Sequence, residues 1–162
     1  MLYRIIDKVE EELKVKLSGV QKILLTTDGS ITRILEVLNG EEIVIKTLKR
    51  ELSKDTIYRE VLLLGKESGK IYVFAKSWIP LLKFDFMMDI LTKDEPIGKI
   101  LERNNLEVRR EIREIGWFKD EELKKLFKAK GNLFLFRRYH IIHKGEVLIK
   151  IEEVFPLFKR ST

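Results

Sequence analysis

Three pairs of apolar, strand-like segments dominate the sequence, and a short polar turn with a glycine separates the members of each pair. The paired segments are 31–38 with 42–49, 57–64 with 70–79, and 133–142 with 146–155. The turns between them are Asn39-Gly40, Glu67-Ser68-Gly69 and His143-Lys144-Gly145. Because asparagine and glycine tolerate a positive φ angle, such turns favour hairpins between adjacent strands. The pattern therefore predicts an antiparallel sheet built largely from local hairpins.

Outside these hairpins, the apolar residues of several segments are spaced as in amphipathic helices. We expect an amphipathic N-terminal helix over 3–17, which Ser18-Gly19 ends. The remaining predicted elements are helices over 81–91, 96–104 and 120–128 and a strand over 106–115. Proline suits the first position of a helix, so Pro96 is expected to begin the helix over 96–104.

Together these elements predict an α+β fold. In this fold a single antiparallel sheet of about six to seven strands is covered on one side by helices. No repeat, low-complexity segment or linker interrupts the 162 residues. One hydrophobic core can serve a chain of this length, so residues 1–162 are expected to form a single domain.

The composition excludes several classes of protein. Without cysteine, the chain has no disulfide, thiolate metal site or cysteine nucleophile. No apolar run is long enough to span a bilayer, and charged residues from Asp7 onward rule out a secretory signal, so we expect a cytoplasmic protein without a membrane partner. The net charge of +6 comes from interspersed charges rich in Lys and Glu, which is typical of a heat-adapted surface and disfavours a nucleic-acid partner.

Common catalytic and cofactor motifs are also missing. The sequence contains no GxGxxG, GxxxxGK[ST], HExxH or GxSxG pattern. The two histidines, His140 and His143, are three residues apart on a predicted strand and turn, which places them on opposite faces and disfavours a metal pair. Arg137 and Arg138 are strand neighbours, so we expect them to point to opposite faces and to pair with glutamates.

Two strands place a charged residue among apolar neighbours. Arg59 shares a strand face with apolar residues at positions 57, 61 and 63. An arginine there lies at the rim of the face or needs an anionic partner, because an unpaired buried charge is costly. On the last strand Glu152 and Glu153 point to opposite faces, and the alternation of apolar residues favours Glu153 as the inward carboxylate.

Four blocks of the sequence resemble the chorismate pyruvate-lyase (4-hydroxybenzoate synthase) family, in a distant archaeal-type branch. They occur in the family's order and cover roughly residues 23–158. The blocks are Asp28-Gly29-Ser30-Ile31-Thr32, Tyr58-Arg59-Glu60-Val61-Leu62-Leu63 through Trp78-Ile79-Pro80, Pro96-Ile97-Gly98 through Glu114-Ile115-Gly116, and Lys144-Gly145 through Glu152-Glu153-Val154-Phe155-Pro156.

The resemblance implies a set of site residues. One arginine and two backbone N–H groups hold the product carboxylate in the family, and these positions match Arg59, Ile31 and Ile97. A glutamate meets the ring hydroxyl, and an ungapped register between Gly145 and Pro156 assigns it to Glu152. This disagrees with the alternation that favours Glu153, and we give precedence to the register. Arg110 is the candidate for the second carboxylate of the substrate.

The implied activity is the conversion of chorismate to 4-hydroxybenzoate and pyruvate, so the expected partners are the substrate chorismate and the product 4-hydroxybenzoate. Aromatisation drives this reaction, so the resemblance implies neither a metal nor a redox cofactor. Glu152 is expected to orient the ring or act as a general base, while an internal hydrogen transfer would need no base. The sequence leaves both mechanisms and the oligomeric state open.

The same fold resembles the effector-binding domains of GntR-type transcription regulators. The alternative function is therefore a non-catalytic domain that binds a small carboxylic acid. The apolar region 81–104 is interpreted as core helix or as a lid over the product.

Overall fold

The computed structural model describes residues 1–81, 89 and 92–157. Five helices and six strands have their bounds within these ranges. The helices are α1 (Leu2–Leu13), α2 (Gly19–Thr26), α3 (Ile31–Asn39), α4 (Ile97–Arg103) and α5 (Glu121–Phe127). The strands are β1 (Ile43–Ser53), β2 (Thr56–Gly65), β3 (Ile71–Pro80), β4 (Arg109–Lys119), β5 (Leu133–His143) and β6 (Glu146–Pro156).

All six strands form one antiparallel sheet in the order β1-β2-β3-β6-β5-β4. The predicted α+β fold with a single antiparallel sheet is therefore confirmed. Two of the predicted hairpins, β2–β3 and β5–β6, are present. Lys144 and Gly145 form the turn of the second hairpin with φ angles of 49° and 77°, which suits the right-handed twist of the strands.

The hairpin predicted around Asn39-Gly40 is wrong, because 31–39 is the helix α3. The Ser30 hydroxyl caps its start by accepting a hydrogen bond from the Arg33 N–H, and Gly40 ends it with a φ angle of 65°. Asparagine followed by glycine can end a helix as well as turn a hairpin, since both uses need a positive φ angle. The real partner of β1 is β2, joined through Lys54-Asp55.

The N-terminal helix is confirmed but ends at Leu13, where Lys14 adopts a left-handed conformation with a φ angle of 54°. Ser18 does not close this helix. Its side chain caps α2 by accepting a hydrogen bond from the Gln21 N–H. The helices over 96–104 and 120–128 appear as α4 and α5, and Pro96 is the cap before α4 instead of its first residue. The helix predicted over 81–91 falls almost wholly outside the described residues.

The sheet has one face that four helices cover and a second face that α5 covers in part. Helices α1 to α3 pack on the first face over one end of the sheet, and α4 packs on the same face over the other end. The second face holds an apolar cluster beneath α5, formed with Leu62, Phe74 and Phe134. No helix in the described part of the chain is long and apolar enough to cross a membrane.

Candidate active site

A cavity lies on the helix-covered face of the sheet, between the strands and the first residues of α3 and α4. Its lining residues come from all six strands and from both helix starts, so the cavity sits where the two apolar clusters of this face meet. The lining consists of Ser30, Ile31, Thr32, Ile45, Arg59, Val61, Leu63, Ala75, Ser77, Pro96, Ile97, Gly98, Arg110, Tyr139, Ile141, Ile151 and Glu153.

Arg59 on β2 is the most buried cation of the cavity lining, with 1% of its surface exposed. Its Nη1 donates to the Glu95 carbonyl at 3.2 Å, and its Nε has no partner among the residues that the structure describes. Burial, together with the charge of Arg50, lowers the pKa of Arg59 to about 10. The guanidinium is still charged at neutral pH. Since no described carboxylate pairs with it, Arg59 is available to an anionic ligand.

Arg50 on β1 lies directly opposite Arg59 in the β1–β2 register. Its Nη2 donates to Asp94 at 3.0 Å, and the same carboxylate oxygen accepts from the Thr47 hydroxyl at 2.7 Å. Two like charges at opposed positions destabilise a sheet unless an anion offsets them. Period-two patterns do not predict this pairing, because a bulge at Leu48 shifts the register of β1.

The first residues of α3 and α4, Ile31 and Ile97, are both buried and both line the cavity. The first N–H groups of a helix have no acceptor within the helix, and they carry its positive end. Gly98 lets the two helix starts approach, since a Cβ there would lie 3.1 Å from the Ser30 Oγ. The role of their backbone N–H groups as donors to a carboxylate, which the family resemblance implies, stays a prediction.

Arg110 on β4 supplies the second cation of the cavity lining. Its Nε is buried and has no hydrogen-bond partner within the described ranges. Its Nη2 would lie 3.8 Å from a Cβ at Gly98, so it approaches the start of α4. The cavity therefore holds two arginines that come from opposite halves of the sheet.

The structure brings Glu153, and not Glu152, into this cavity. Glu153 is 4% exposed, and its Oε1 accepts from the Arg137 Nε at 2.8 Å. The β5–β6 pairing shifts between Ile141–Ile149 and Ile142–Val147, which makes Leu148 an extra residue. The alternation of apolar residues placed the inward carboxylate correctly.

Glu152 lies on the other face of the sheet, in a row of six charged residues that crosses every strand. Along this row neighbouring strands carry opposite charges, which stabilises the pairing. The row runs Glu114, Arg138, Glu152, Lys76, Glu60 and Lys49. Arg138 bonds both of its neighbours, with its Nε 2.6 Å from the Glu152 Oε2. The position of Glu152 is that of a sheet-stabilising residue.

Arg137 and Arg138 point to opposite faces and pair with Glu153 and Glu152, as the sequence predicted. The two histidines also occupy different surroundings. His143 Nδ1 is 2.8 Å from the Glu107 carbonyl oxygen, while His140 lies on the second face. Within residues 1–81, 89 and 92–157, no group of His, Asp or Glu side chains has the arrangement of a metal site.

Tyr139 on β5 is a cavity residue that sequence reasoning missed. It is 4% exposed, and burial, with the charge of Glu153, raises the pKa of its phenol. The phenol therefore stays protonated at neutral pH and can donate a hydrogen bond. The position of Tyr139 two residues after Arg137 on one strand could have indicated a shared face.

Comparison with known proteins gives a family match over most of the chain. The family described as "Chorismate pyruvate-lyase Rv2949c-like" matches residues 25–161. A protein of Methanocaldococcus jannaschii, whose name assigns it provisionally to the lyases, is 39% identical over 97% of this chain and 88% of its own. The chorismate pyruvate-lyase of Mycobacterium leprae is 30% identical over 90% of this chain and 77% of its own.

Solved structures with low sequence identity share the fold. PhnF from Mycobacterium smegmatis has a TM-score of 0.62 at 11% identity, over 80% of this chain and 64% of that protein's chain. The ligand-binding domain of a GntR-family regulator from Bordetella bronchiseptica has a TM-score of 0.55 at 12% identity, over 74% of this chain and 91% of that domain. At these identities the likeness establishes the architecture alone.

Proposed function

The chain belongs to the family of Rv2949c-like chorismate pyruvate-lyases, and on that basis we propose that it converts chorismate to 4-hydroxybenzoate and pyruvate. The observation that carries this proposal is the buried Arg59, which lines a cavity and has no carboxylate partner among the described residues. A buried charge without a partner lowers the stability of the fold, and a bound carboxylate would offset that cost.

The cationic character of the cavity suits a substrate with two carboxylates. We assign the ring carboxylate to Arg59 and to the backbone N–H groups of Ile31 and Ile97. A guanidinium offers two parallel donors, and backbone donors lose little entropy on binding. We assign the enolpyruvyl carboxylate to Arg110, which lies on the edge strand β4 and lines the cavity from that side.

We assign to Glu153 the contact with the ring hydroxyl that the family resemblance assigned to Glu152. In our proposal its carboxylate accepts the hydrogen bond of the C4 hydroxyl of chorismate. The support is positional, since Glu153 lines the cavity with Arg59 while Glu152 pairs with Arg138 on the opposite face. A hydrogen bond to this hydroxyl fixes the rotation of the ring and stabilises charge that develops at C4.

The proposed reaction balances without an added oxidant, reductant or metal. The bond between ring C3 and the ether oxygen breaks, and its electron pair leaves with the enolate of pyruvate. Carbon C4 loses its hydrogen as a proton, and the electron pair of that C–H bond completes the aromatic ring. The enolate methylene takes up a proton. Glu153 is the candidate base for the C4 proton, and direct transfer from C4 to the methylene is the alternative.

Substrate entry requires the cavity to widen. Its volume is about 40 Å³, whereas pockets for small molecules measure roughly 300–1,000 Å³. The start of α4 forms one wall, and this helix is held by its buried residues Ile100 and Leu101 and by exposed ion pairs such as Arg33 with Glu102.

The test is to incubate the purified chain with chorismate in the presence of a chelator and to quantify both products over time. We expect pyruvate and 4-hydroxybenzoate in equal amounts. The effector-binding domains that share the fold define the competing outcome. Binding of 4-hydroxybenzoate without release of pyruvate would refute the lyase proposal and favour a sensor of small carboxylic acids.

A further inference from the structure

Arg137 on β5 has contacts that reach from the carboxylate of Glu153 to the loop before α3. Its Nε donates to the Glu153 Oε1 at 2.8 Å, and its Nη1 donates to the Thr27 carbonyl at 2.7 Å. The guanidinium also stacks on the ring of Tyr139, with its central carbon 4.6 Å from the ring centroid. The side chain is fully buried. These contacts leave Arg137 with a single orientation.

The same contacts fix which oxygen of Glu153 faces a ligand. Oε1 is bound to Arg137, and Oε2 has no hydrogen-bond partner among the described residues. Glu153 lines the cavity, whereas Arg137 does not. Arg137 therefore holds the carboxylate from behind. Because the Thr27 carbonyl belongs to the loop before α3, one guanidinium joins Glu153 to the helix start that carries Ile31.

We propose that Arg137 is a positioning residue of this site, which orients Glu153 toward the ring hydroxyl of the ligand. The inference rests on the proposed function. A buried ion pair by itself gives little net stability, since the cost of removing both charges from water offsets their attraction. The next pair along the strands, Arg138 with Glu152, lies on the opposite face of the sheet in a more exposed place and does not line the cavity that holds Arg59. It provides a matched control.

The experiment compares Arg137→Gln with Arg138→Gln, and it measures kcat, KM, melting temperature and the affinities for 4-hydroxybenzoate and benzoate. Benzoate has the carboxylate that Arg59 receives but lacks the hydroxyl that Glu153 meets. In Arg137→Gln we expect kcat to fall about 10- to 100-fold, the range of a misplaced catalytic group. In this variant the affinity for 4-hydroxybenzoate should fall to the level of the affinity for benzoate. The affinity for benzoate should stay within twofold of its wild-type value. Arg138→Gln should prefer 4-hydroxybenzoate over benzoate as strongly as the wild type does.

A second pair of variants keeps the inference testable if Arg137→Gln folds poorly. Arg137→Lys retains the charge but has no fork to bond Glu153 and Thr27 together, so we expect a folded protein with part of the same loss. In a Glu153→Gln background, Arg137→Lys should cause no further fall in kcat, because Arg137 acts through Glu153.

Two results would overturn the inference. One is a folded Arg137 variant that keeps wild-type kcat and prefers 4-hydroxybenzoate over benzoate as the wild type does. The other is an equal loss of affinity for both ligands together with a lower melting temperature, which is the signature of a merely structural role. A wild-type protein that releases no pyruvate would instead refute the proposed function, and the comparison of the two ligands would still decide the role of Arg137.

Discussion

Arg50 and Arg59 face each other across the β1–β2 pair, on the same side of the sheet. Asp94 bonds Arg50, whereas Arg59 has only the Glu95 carbonyl as a hydrogen-bond acceptor in the described part of the chain. Directly opposed like charges destabilise a sheet. A carboxylate that binds between the helix starts and Arg59 would offset these two positive charges. We therefore expect the free protein to be less stable, and the affinity for an anionic ligand to be higher, than if Arg59 were neutral.

Replacing Arg59 should therefore lower the affinity for a carboxylate ligand without lowering the stability of the fold. We expect Arg59→Met to melt at the wild-type temperature or above it, because it removes a buried charge and a like-charge contact. Benzoate affinity should fall by about 2–5 kcal/mol, the loss typical of a buried charged hydrogen bond. Thermal melting and calorimetric titration measure the two effects, with Arg138→Met as the control. A large fall in melting temperature, or normal benzoate affinity, would contradict this assignment.

Arg110 should distinguish the substrate from the aromatic product. The product lacks the enolpyruvyl carboxylate that we assign to Arg110. Arg110→Gln should thus raise KM for chorismate by roughly 10-fold or more, as expected for the loss of one charged hydrogen bond, and leave 4-hydroxybenzoate affinity nearly unchanged. Arg113→Gln is the matched control, since Arg113 lies on the same strand but is exposed and pairs with Glu111. Equal weakening for both ligands would place Arg110 at the ring carboxylate.

Much of the fold follows from local patterns in the sequence. The hairpins β2–β3 and β5–β6 have glycine-containing turns, and the alternation of β6 places Glu153 on the inward face. Arg59 stood out because it interrupts an apolar face. These features depend on residues close together in the chain, and period-two or turn rules describe them well.

The parts that the sequence did not predict depend on tertiary packing and on irregularities in the pairing of strands. Asn39-Gly40 gives the same signal for a helix end as for a hairpin, and only packing of α3 on the sheet decides between them. The ungapped register selected Glu152, whereas the pairing of β5 with β6 places Glu153 on the cavity face. Arg50 comes to lie opposite Arg59 because of the bulge at Leu48, which a period-two rule does not predict.

Glu152 should matter for stability and not for turnover. Removing its charge interrupts the row of alternating charges and leaves Arg138 with Glu114 as its remaining carboxylate among the described residues. We expect Glu152→Gln to keep kcat and KM for chorismate within about twofold and to lower the melting temperature slightly, since a cross-strand charge pair is worth about 0.2–1 kcal/mol. A loss of turnover without a change in melting temperature would place this carboxylate in the reaction.

The carboxylate of Glu41 should make the free energy of unfolding depend on pH in the acid range. Hydrogen bonds from Ser68, with further donors at Tyr72 and Glu67, lower the pKa of the Glu41 carboxyl from 4.5 to about 2. A lowered pKa in the folded state stabilises the protein above the ordinary pKa, and this contribution is lost as the pH falls toward about 2.

Melting temperatures of Glu41→Gln and wild type across this range provide the check. The variant should melt lower than wild type at pH 7, and the difference should shrink as the pH falls from 4.5 to 2. Glu11→Gln, at an exposed position of α1, should show no such trend. A difference between Glu41→Gln and wild type that does not change with pH would refute the role of the charge.

The most direct test of the account is the release of pyruvate and 4-hydroxybenzoate from chorismate by wild type and by Glu153→Gln, measured side by side. We predict that wild type forms both products in a ratio of one to one. Glu153→Gln should stay folded and release them roughly 10²-fold more slowly, the range of a positioned acid–base group. Wild-type rates in Glu153→Gln, or no release of pyruvate by the wild type, would contradict a lyase site built around Arg59 and Glu153.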